Sequence, residues 1–281
     1  MRSLFFGTSG FAVPSLHVIA EKTQLAGVVT QPDRPAGRGH RLQPTPVKTA
    51  ALELGLRVYE PASLKALVAQ LAQTPYDLFA LASYGKILPQ ALIDLPALGA
   101  LNVHPSLLPQ YRGATPIQSA LLAGETRTGV SIMLMDAGMD TGDLVLQEPV
   151  EINVDDDYGA LHDRLALFGA DLLGDAIDLA LRGPLPRTAQ RGESSVTRPI
   201  RKEDLVIDWS WAPERIVNTV RAFAPAPGAR GLIDGESVKL LRAHVAGDRV
   251  VIDELIAPNR GRMSGESFER SRHDRELRDS Q

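Results

Sequence analysis

The stretch that decides the fold is LFFGTSGFAVPSLHVIAEKTQLAGVVT, Leu4–Thr30. Leu4 to Gly7 is a short apolar run that ends in glycine, the pattern of a buried strand. Pro14 to Glu21 places apolar residues at helical spacing behind a proline, which is tolerated in a first helical turn. Leu25 to Thr30 is again β-rich, so the segment predicts one βαβ unit. Moving outward, the same rhythm continues, with strands expected at Val58–Glu60, Asp77–Ser83 and Leu101–His104. Helices are expected at Pro46–Leu54, Ser63–Leu71 and Pro116–Leu122. Runs such as LFALAS lack polar alternation, which suits a mostly parallel sheet with helices on both faces. After Gly129 two β-rich runs, Val130–Met135 and Leu144–Ile152, flank a Gly- and Asp-rich turn and predict a hairpin. Leu161, Leu165, Phe168, Leu172, Leu173 and Ile177 then recur at helical spacing, predicting a long helix over Tyr158–Leu181.

Gly183, Pro184 and Pro186 end that helix, and the following stretch has little apolar periodicity. The expected division is therefore a catalytic α/β domain over 1–183, a linker over 184–204 and a small β-rich domain over 205–281. In the last of these, a helix from Pro213 to Ala222 precedes strands at Ser237–Arg242 and Arg249–Leu255. The polar residues from Pro258 onward read as a frayed tail.

Composition narrows the function. The 281 residues include 44% hydrophobic and 23% charged residues, which excludes a disordered chain or a fibrous rod. With no cysteine there is no disulfide, no thiolate nucleophile and no Cys-ligated zinc. No apolar run approaches the ~20 residues that cross a bilayer, and no signal-peptide pattern opens the chain, so a soluble, cytoplasmic protein is expected. The net charge of −4 confines any nucleic-acid contact to a local basic patch.

Three segments can carry chemistry. In LNVHPSLLPQYRG, Leu101–Gly113, Asn102 and His104 alternate by two and leave the same face of a strand. They stand at its carboxyl end, where open α/β sheets place their sites. An amide and an imidazole there can hold a developing oxyanion. In MDAGMDTGD, Met135–Asp143, the carboxylate spacing does not fit a calcium loop, so no metal is expected, and one carboxylate beside His104 would orient its ring. In TQPDRPAGRGHRLQPTPVK, Thr30–Lys48, Arg34, Arg38, Arg41 and Lys48 face a lone Asp33, a basic loop suited to a phosphate-bearing partner. GTSGFA, Gly7–Ala12, is neither GxGxxG nor a Walker sequence and reads as a tight turn before a helix.

Taken together, NVHPSLLPQYRGATPIQ (102–118) and GVSIMLMDAGMDTGD (129–143) resemble the folate-dependent formyltransferase family, with Asn102, His104 and Asp140 at its Asn-x-His and downstream Asp positions. SLLP, Ser106–Pro109, is similar to its folate-site motif. FFGTSGFA, the basic loop, YGKILP and VTRPIRKEDLVIDWS follow in the order found in members whose substrate is initiator methionyl-tRNA. The resemblance implies a Rossmann-like domain followed by a small OB-like barrel, with 10-formyltetrahydrofolate as cosubstrate. It implies catalysis by Asn102, His104 and Asp140, and a pterin slot at Ile87, Leu88, Ser106, Leu107, Leu108 and Pro109. It also implies tRNA contact by Arg34, Arg38 and Arg41; a monomer is the default expectation, which the sequence does not decide. APAPGA at Ala224–Ala229 departs from the family's NPWPGA-like segment. GRMSGESF at Gly261–Phe268 follows Pro227 so closely that the barrel is expected to be shortened. The alternatives are a formyltransferase acting on a nucleotide-linked amino sugar or other small amine, and a noncatalytic nucleotide- or RNA-binding module of the same fold.

Overall fold

A computed structural model describes residues 1–36 and 41–271. They form two compact units. The first comprises Met1–Ala114, Thr128–Val150 and His162–Thr197. Its elements begin with β1 (Arg2–Gly7), α1 (Val13–Lys22), β2 (Gln24–Val29), the short pair β3 (Arg34–Ala36) and β4 (Arg41–Gln43), α2 (Pro46–Glu53) and β5 (Val58–Tyr59). There follow α3 (Leu64–Leu71), β6 (Leu78–Ala82), α4 (Gln90–Ile93), β7 (Ala100–His104) and β8 (Arg112–Gly113). After α5 (Pro116–Ala123), which belongs to the other unit, come β9 (Arg127–Leu134), β10 (Leu144–Glu151), α6 (Tyr158–Arg182) and β11 (Val196–Thr197).

The seven-stranded sheet has the order β10-β9-β7-β6-β1-β2-β5. Strands β5, β2, β1, β6 and β7 run parallel, and β9 is antiparallel to β7. Every residue of β6 is buried, as its unbroken apolar run requires of a strand covered on both faces. Phe6 and Phe79 pack with ring centroids 5.3 Å apart, and Tyr84 meets Phe6 edge-on at 5.6 Å. Because parallel strands share a direction, the loops after β1, β2, β6 and β7 emerge at one edge of the sheet. They are tied there: Thr8 Oγ1 and Gln31 Nε2 both donate to the Tyr84 carbonyl, at 2.9 and 2.8 Å, and Ser9 Oγ donates to Ser83 Oγ at 2.7 Å.

The second unit comprises Thr115–Arg127, Glu151–Leu161 and the chain from Arg198 onward. It carries α7 (Pro213–Phe223) and an antiparallel meander of β12 (Ala229–Ile233), β13 (Glu236–Ala246), β14 (Arg249–Ala257) and β15 (Gly261–Ser264). The apolar side of α7, with Ile216, Val220 and Phe223, packs on Val238, Leu240 and Leu255 of the meander.

Two expectations change here. Residues 184–204 are not a spacer: Leu185 is buried, Leu144 and Thr188 exchange backbone hydrogen bonds, and β11 pairs in parallel with β8. From Arg198 the chain is part of the second unit, where Arg198 pairs with Asp204 at 2.6 Å. Of the residues after Pro258, the described ones up to 271 are not frayed, because β15 pairs with β14 and Phe268 is only 1% exposed, while 272–281 lie outside the described residues. No helix of the described residues is long and apolar enough to cross a membrane.

Candidate active site

β7 delivers Asn102 and His104 to its carboxyl end on one face. His104 is 4% exposed. Its Nε2 lies 3.0 Å from the carbonyl oxygen of Tyr111, and its Nδ1 lies 3.6 Å from Asp140 Oδ2. A carbonyl can only accept, so Nε2 carries the hydrogen and donates to Tyr111. At 3.6 Å the Nδ1 contact is electrostatic and too long for a hydrogen bond, which leaves Nδ1 without a hydrogen-bond partner among the described residues. Burial pushes the imidazole's pKa below its usual value of 6.5, and the Asp140 charge and the Tyr111 carbonyl oppose that shift without reversing it. At neutral pH the resting ring is therefore uncharged. Asn102 is half-buried, and its carboxamide has no hydrogen-bond partner among the described residues.

The Gly- and Asp-rich turn sorts its carboxylates. Asp136 Oδ1 accepts from Gly138 N–H at 3.0 Å and from Thr141 Oγ1 at 2.7 Å, which is turn chemistry. Asp140 instead accepts from Gly113 N–H at 2.8 Å through the same oxygen that faces His104. Asp140 holds φ at 53°, in the left-handed region that aspartate tolerates better than most side chains. Gly113, at φ 100°, needs to be glycine on a second count, since a Cβ would stand 2.6 Å from the Thr197 carbonyl. No group of three or more metal-ligating side chains occurs among the described residues.

The loop after β7 is rigidly held by residues that the sequence did not single out. Ser131 Oγ donates to the Ser106 carbonyl at 2.7 Å and accepts from Leu108 N–H at 3.2 Å, and Gln147 Nε2 reaches both Leu108 O and Ser131 Oγ at 2.9 Å. Ser106 Oγ closes the loop on the Gln110 carbonyl at 2.6 Å. Ser131→Ala leaves several of these buried groups unpaired, so it should lower unfolding free energy by about 1–3 kcal/mol. An unchanged denaturation midpoint would show that water replaces the hydroxyl.

Of the residues expected to form a pterin slot, Leu88, Ser106, Leu108 and Pro109 are buried, Leu107 is half-buried and Ile87 is 82% exposed. Leu88 sits in the core with Phe6 and Tyr84. The side chain of Leu107 occupies the space that a Cβ on Gly129 would need. Four of these side chains thus fill the protein interior, while the loop backbones after β6 and β7 lie at the edge where Asn102 stands.

The basic loop is less free than its charge count implied. Lys48 is paired with Asp33 at 2.8 Å and Glu60 at 2.9 Å. Arg34 is exposed, and its guanidinium donates to Gln31 Oε1. Arg38 lies outside the described residues, and of Arg41 only the backbone is described.

The stretch after α6 was also missed as part of the site. Tyr111 N–H donates to Ser195 Oγ at 2.8 Å, and Gln190 Nε2 donates to the carbonyls of Asp140 and Gly142 at 2.9 and 2.8 Å. Nothing in local periodicity marks these residues, because every one of their partners is distant in the chain.

Residues 1–177 match the family model described as formyl transferase, and residues 199–250 match the one described as formyl transferase, C-terminal domain. The α/β sheet with His104 buried and Asn102 half-buried at one strand end is thus that of a formyl transferase, the family to which the chain belongs. The methionyl-tRNA formyltransferase of Geobacter sulfurreducens is 41% identical over 264 residues, covering 92% of this chain and 83% of its own length. That of Syntrophus aciditrophicus is 46% identical over 244 residues, covering 85% and 78%. The crystal structure of the N-formyltransferase from Helicobacter canadensis, in complex with folinic acid and dTDP-3-aminofucose, shares the fold at a TM-score of 0.69 and 18% identity, covering 92% of this chain and 95% of its own. Within the formyl transferases, this chain belongs to the methionyl-tRNA formyltransferase family.

Proposed function

We propose that Asn102, His104 and Asp140 carry the transfer of the formyl group of 10-formyltetrahydrofolate to the free α-amino group of initiator methionyl-tRNA. The observation that carries this reading is the buried His104 ring, with Nε2 committed to Tyr111, Nδ1 uncommitted and Asp140 beside it. The amine attacks the formyl carbon, a C–N bond forms, and negative charge develops on the formyl oxygen. Asn102 is the donor with no other employment in the described residues, and its N–H holds that charge. His104, neutral at rest, takes the amine's surplus proton on Nδ1, directly or through one water. The resulting imidazolium is stabilised by Asp140 and supplies an N–H to the oxyanion. It then returns the proton to N10 as the C–N10 bond breaks, so atoms and charges balance without a covalent enzyme intermediate.

The cosubstrate fits this edge of the sheet through backbone rather than through a wall of side chains. The loops after β6 and β7 offer N–H and C=O groups to an amide-like pterin edge, Ile87 offers exposed apolar surface, and Asn102 offers an unpaired carboxamide. Arg34, with Arg38 and Arg41 in the same loop, supplies positive charge for the tRNA backbone.

Incubation with 10-formyltetrahydrofolate and methionyl-tRNA should yield formyl-methionyl-tRNA, with deacylated tRNA inert as an acceptor. Preferential formylation of a nucleotide-linked amino sugar would overturn the assignment of acceptor. In the same assay, Arg34→Ala should raise KM for methionyl-tRNA and reduce the slope of log KM against log salt by about 1, leaving KM for the folate unchanged. Equal damage to folate binding would place Arg34 at the pterin instead.

A further inference from the structure

We propose that Gln190 is a positioning residue for formyl transfer, holding the Asp140 turn so that its carboxylate faces Nδ1 of His104. This rests on the reading of Asp140 and His104 given above. The carboxamide of Gln190 is fully used: Nε2 donates to Asp140 O at 2.9 Å and Gly142 O at 2.8 Å, and Oε1 accepts from Arg112 Nη2 at 2.6 Å and Nε at 3.2 Å. One side chain therefore joins the β9–β10 turn to β8, the segment that follows the His104 loop. The two carbonyls it grips lie on either side of Thr141, immediately after the left-handed φ of Asp140. A left-handed aspartate persists where surrounding contacts over-determine it, and Gln190 supplies such contacts.

The turn has little other freedom on its packed side, because a Cβ on Gly142 would collide with the Leu134 carbonyl. The neighbouring residues reinforce the arrangement. Ser195 Oγ accepts from Tyr111 N–H at 2.8 Å, its carbonyl accepts from Arg112 N–H at 2.9 Å, and Thr197 Oγ1 donates to Arg112 O at 3.0 Å. Residues 188–197 thus form a strap fastened at one end to the loop of Asp140 and at the other to the loop of Tyr111. Those two loops supply the acceptors that face the two nitrogens of His104. The hydrogen bonds of Gln190 among the described residues go to Asp140, Gly142 and Arg112 and not to His104, so its effect on the reaction passes through Asp140. Among the described residues, the charged group that faces Gln190 is the Arg112 guanidinium and the one that faces His104 is Asp140.

The test is steady-state formylation of methionyl-tRNA by the full chain carrying Gln190→Met or Gln190→Ala, with Asp140→Asn as reference. Both Gln190 variants are uncharged, so neither adds a charge beside the imidazole. The expected result is a fall in kcat of about 10- to 100-fold, the scale of a small misplacement at a reacting centre. KM for both substrates should stay within about twofold, and the acid limb of the kcat–pH profile should move to lower pH. That displacement follows because His104 loses part of the support that Asp140 gives its protonated form, and Asp140→Asn should move the limb in the same direction by at least as much. Wild-type kcat and an unmoved acid limb in both Gln190 variants, with Asp140→Asn impaired, would overturn the role of Gln190 and leave the site reading intact. Full activity in Asp140→Asn would overturn the site reading itself. Loss of kcat with the acid limb in place, or aggregation of both variants, would make Gln190 structural and overturn the proposal.

Discussion

Replacing Asn102 by alanine should lower kcat by about 10²- to 10³-fold, the usual effect of deleting one oxyanion donor, and His104→Ala should cost at least as much because it also removes the proton acceptor. Both variants should retain the fold. Asn102 makes no side-chain hydrogen bond in the described residues, and His104 forfeits one hydrogen bond to Tyr111 and its electrostatic contact with Asp140. The double variant should be scarcely slower than His104→Ala, since the groups act on one intermediate. The pH dependence has a definite sign. Burial lowers the His104 pKa below 6.5, so kcat is flat at neutral pH and falls on acidification, where the ring is protonated before the amine arrives. The same shift enters stability: the unfolded chain binds the proton more readily, so this contribution is fully present above the unfolded-state pKa and is lost as pH falls through the lower folded value. Near-normal kcat in a folded Asn102 or His104 variant removes that residue from the mechanism.

Much of the first unit was legible because its signals are local. Unbroken apolar runs such as Leu78–Ala82 mark strands covered on both faces, and the two-residue alternation of Asn102 and His104 puts both side chains on one face without any tertiary information. Asp140 was different. Asp136, Asp140 and Asp143 are equivalent by composition, and only the resemblance to known formyltransferases distinguished Asp140. The physical discriminator, a left-handed turn that swings one carboxylate toward Gly113 and His104, is tertiary. Ser131, Gln147, Gln190 and Ser195 were invisible for the same reason. Their work is hydrogen bonding to backbone groups brought near by the sheet, and a polar residue on a strand or a strap advertises none of this in sequence. Lys48 shows the converse error, because counting charge along the loop missed that Asp33 and Glu60 already hold it.

The end of the second unit offers the other large effect. Phe268 lies in a run of polar and charged residues, so periodicity gives no reason to bury it. It nevertheless sits in the cluster of Phe223, Val238, Leu240 and Leu255, with the Arg260 guanidinium 4.9 Å from its ring centroid. Arg260 is itself anchored by Glu236 at 2.5 Å. The preceding strand explains the burial: β15 pairs Met263 with Leu255 in register and leads directly into the helical residues 265–271, which bring Phe268 onto the meander. Phe268→Ala should therefore cost about 3–5 kcal/mol, the range for emptying a buried phenylalanine site. Trp209 and Trp211 are the only tryptophans and both lie in the second unit, so fluorescence excited selectively in tryptophan, clear of the tyrosines, reads the loss of that unit. The fluorescence transition should move to clearly lower denaturant in Phe268→Ala, while Glu269→Ala, one residue further and exposed, should change stability by less than about 0.5 kcal/mol. Coincident curves for wild type and Phe268→Ala would return these residues to the frayed tail that their composition suggests.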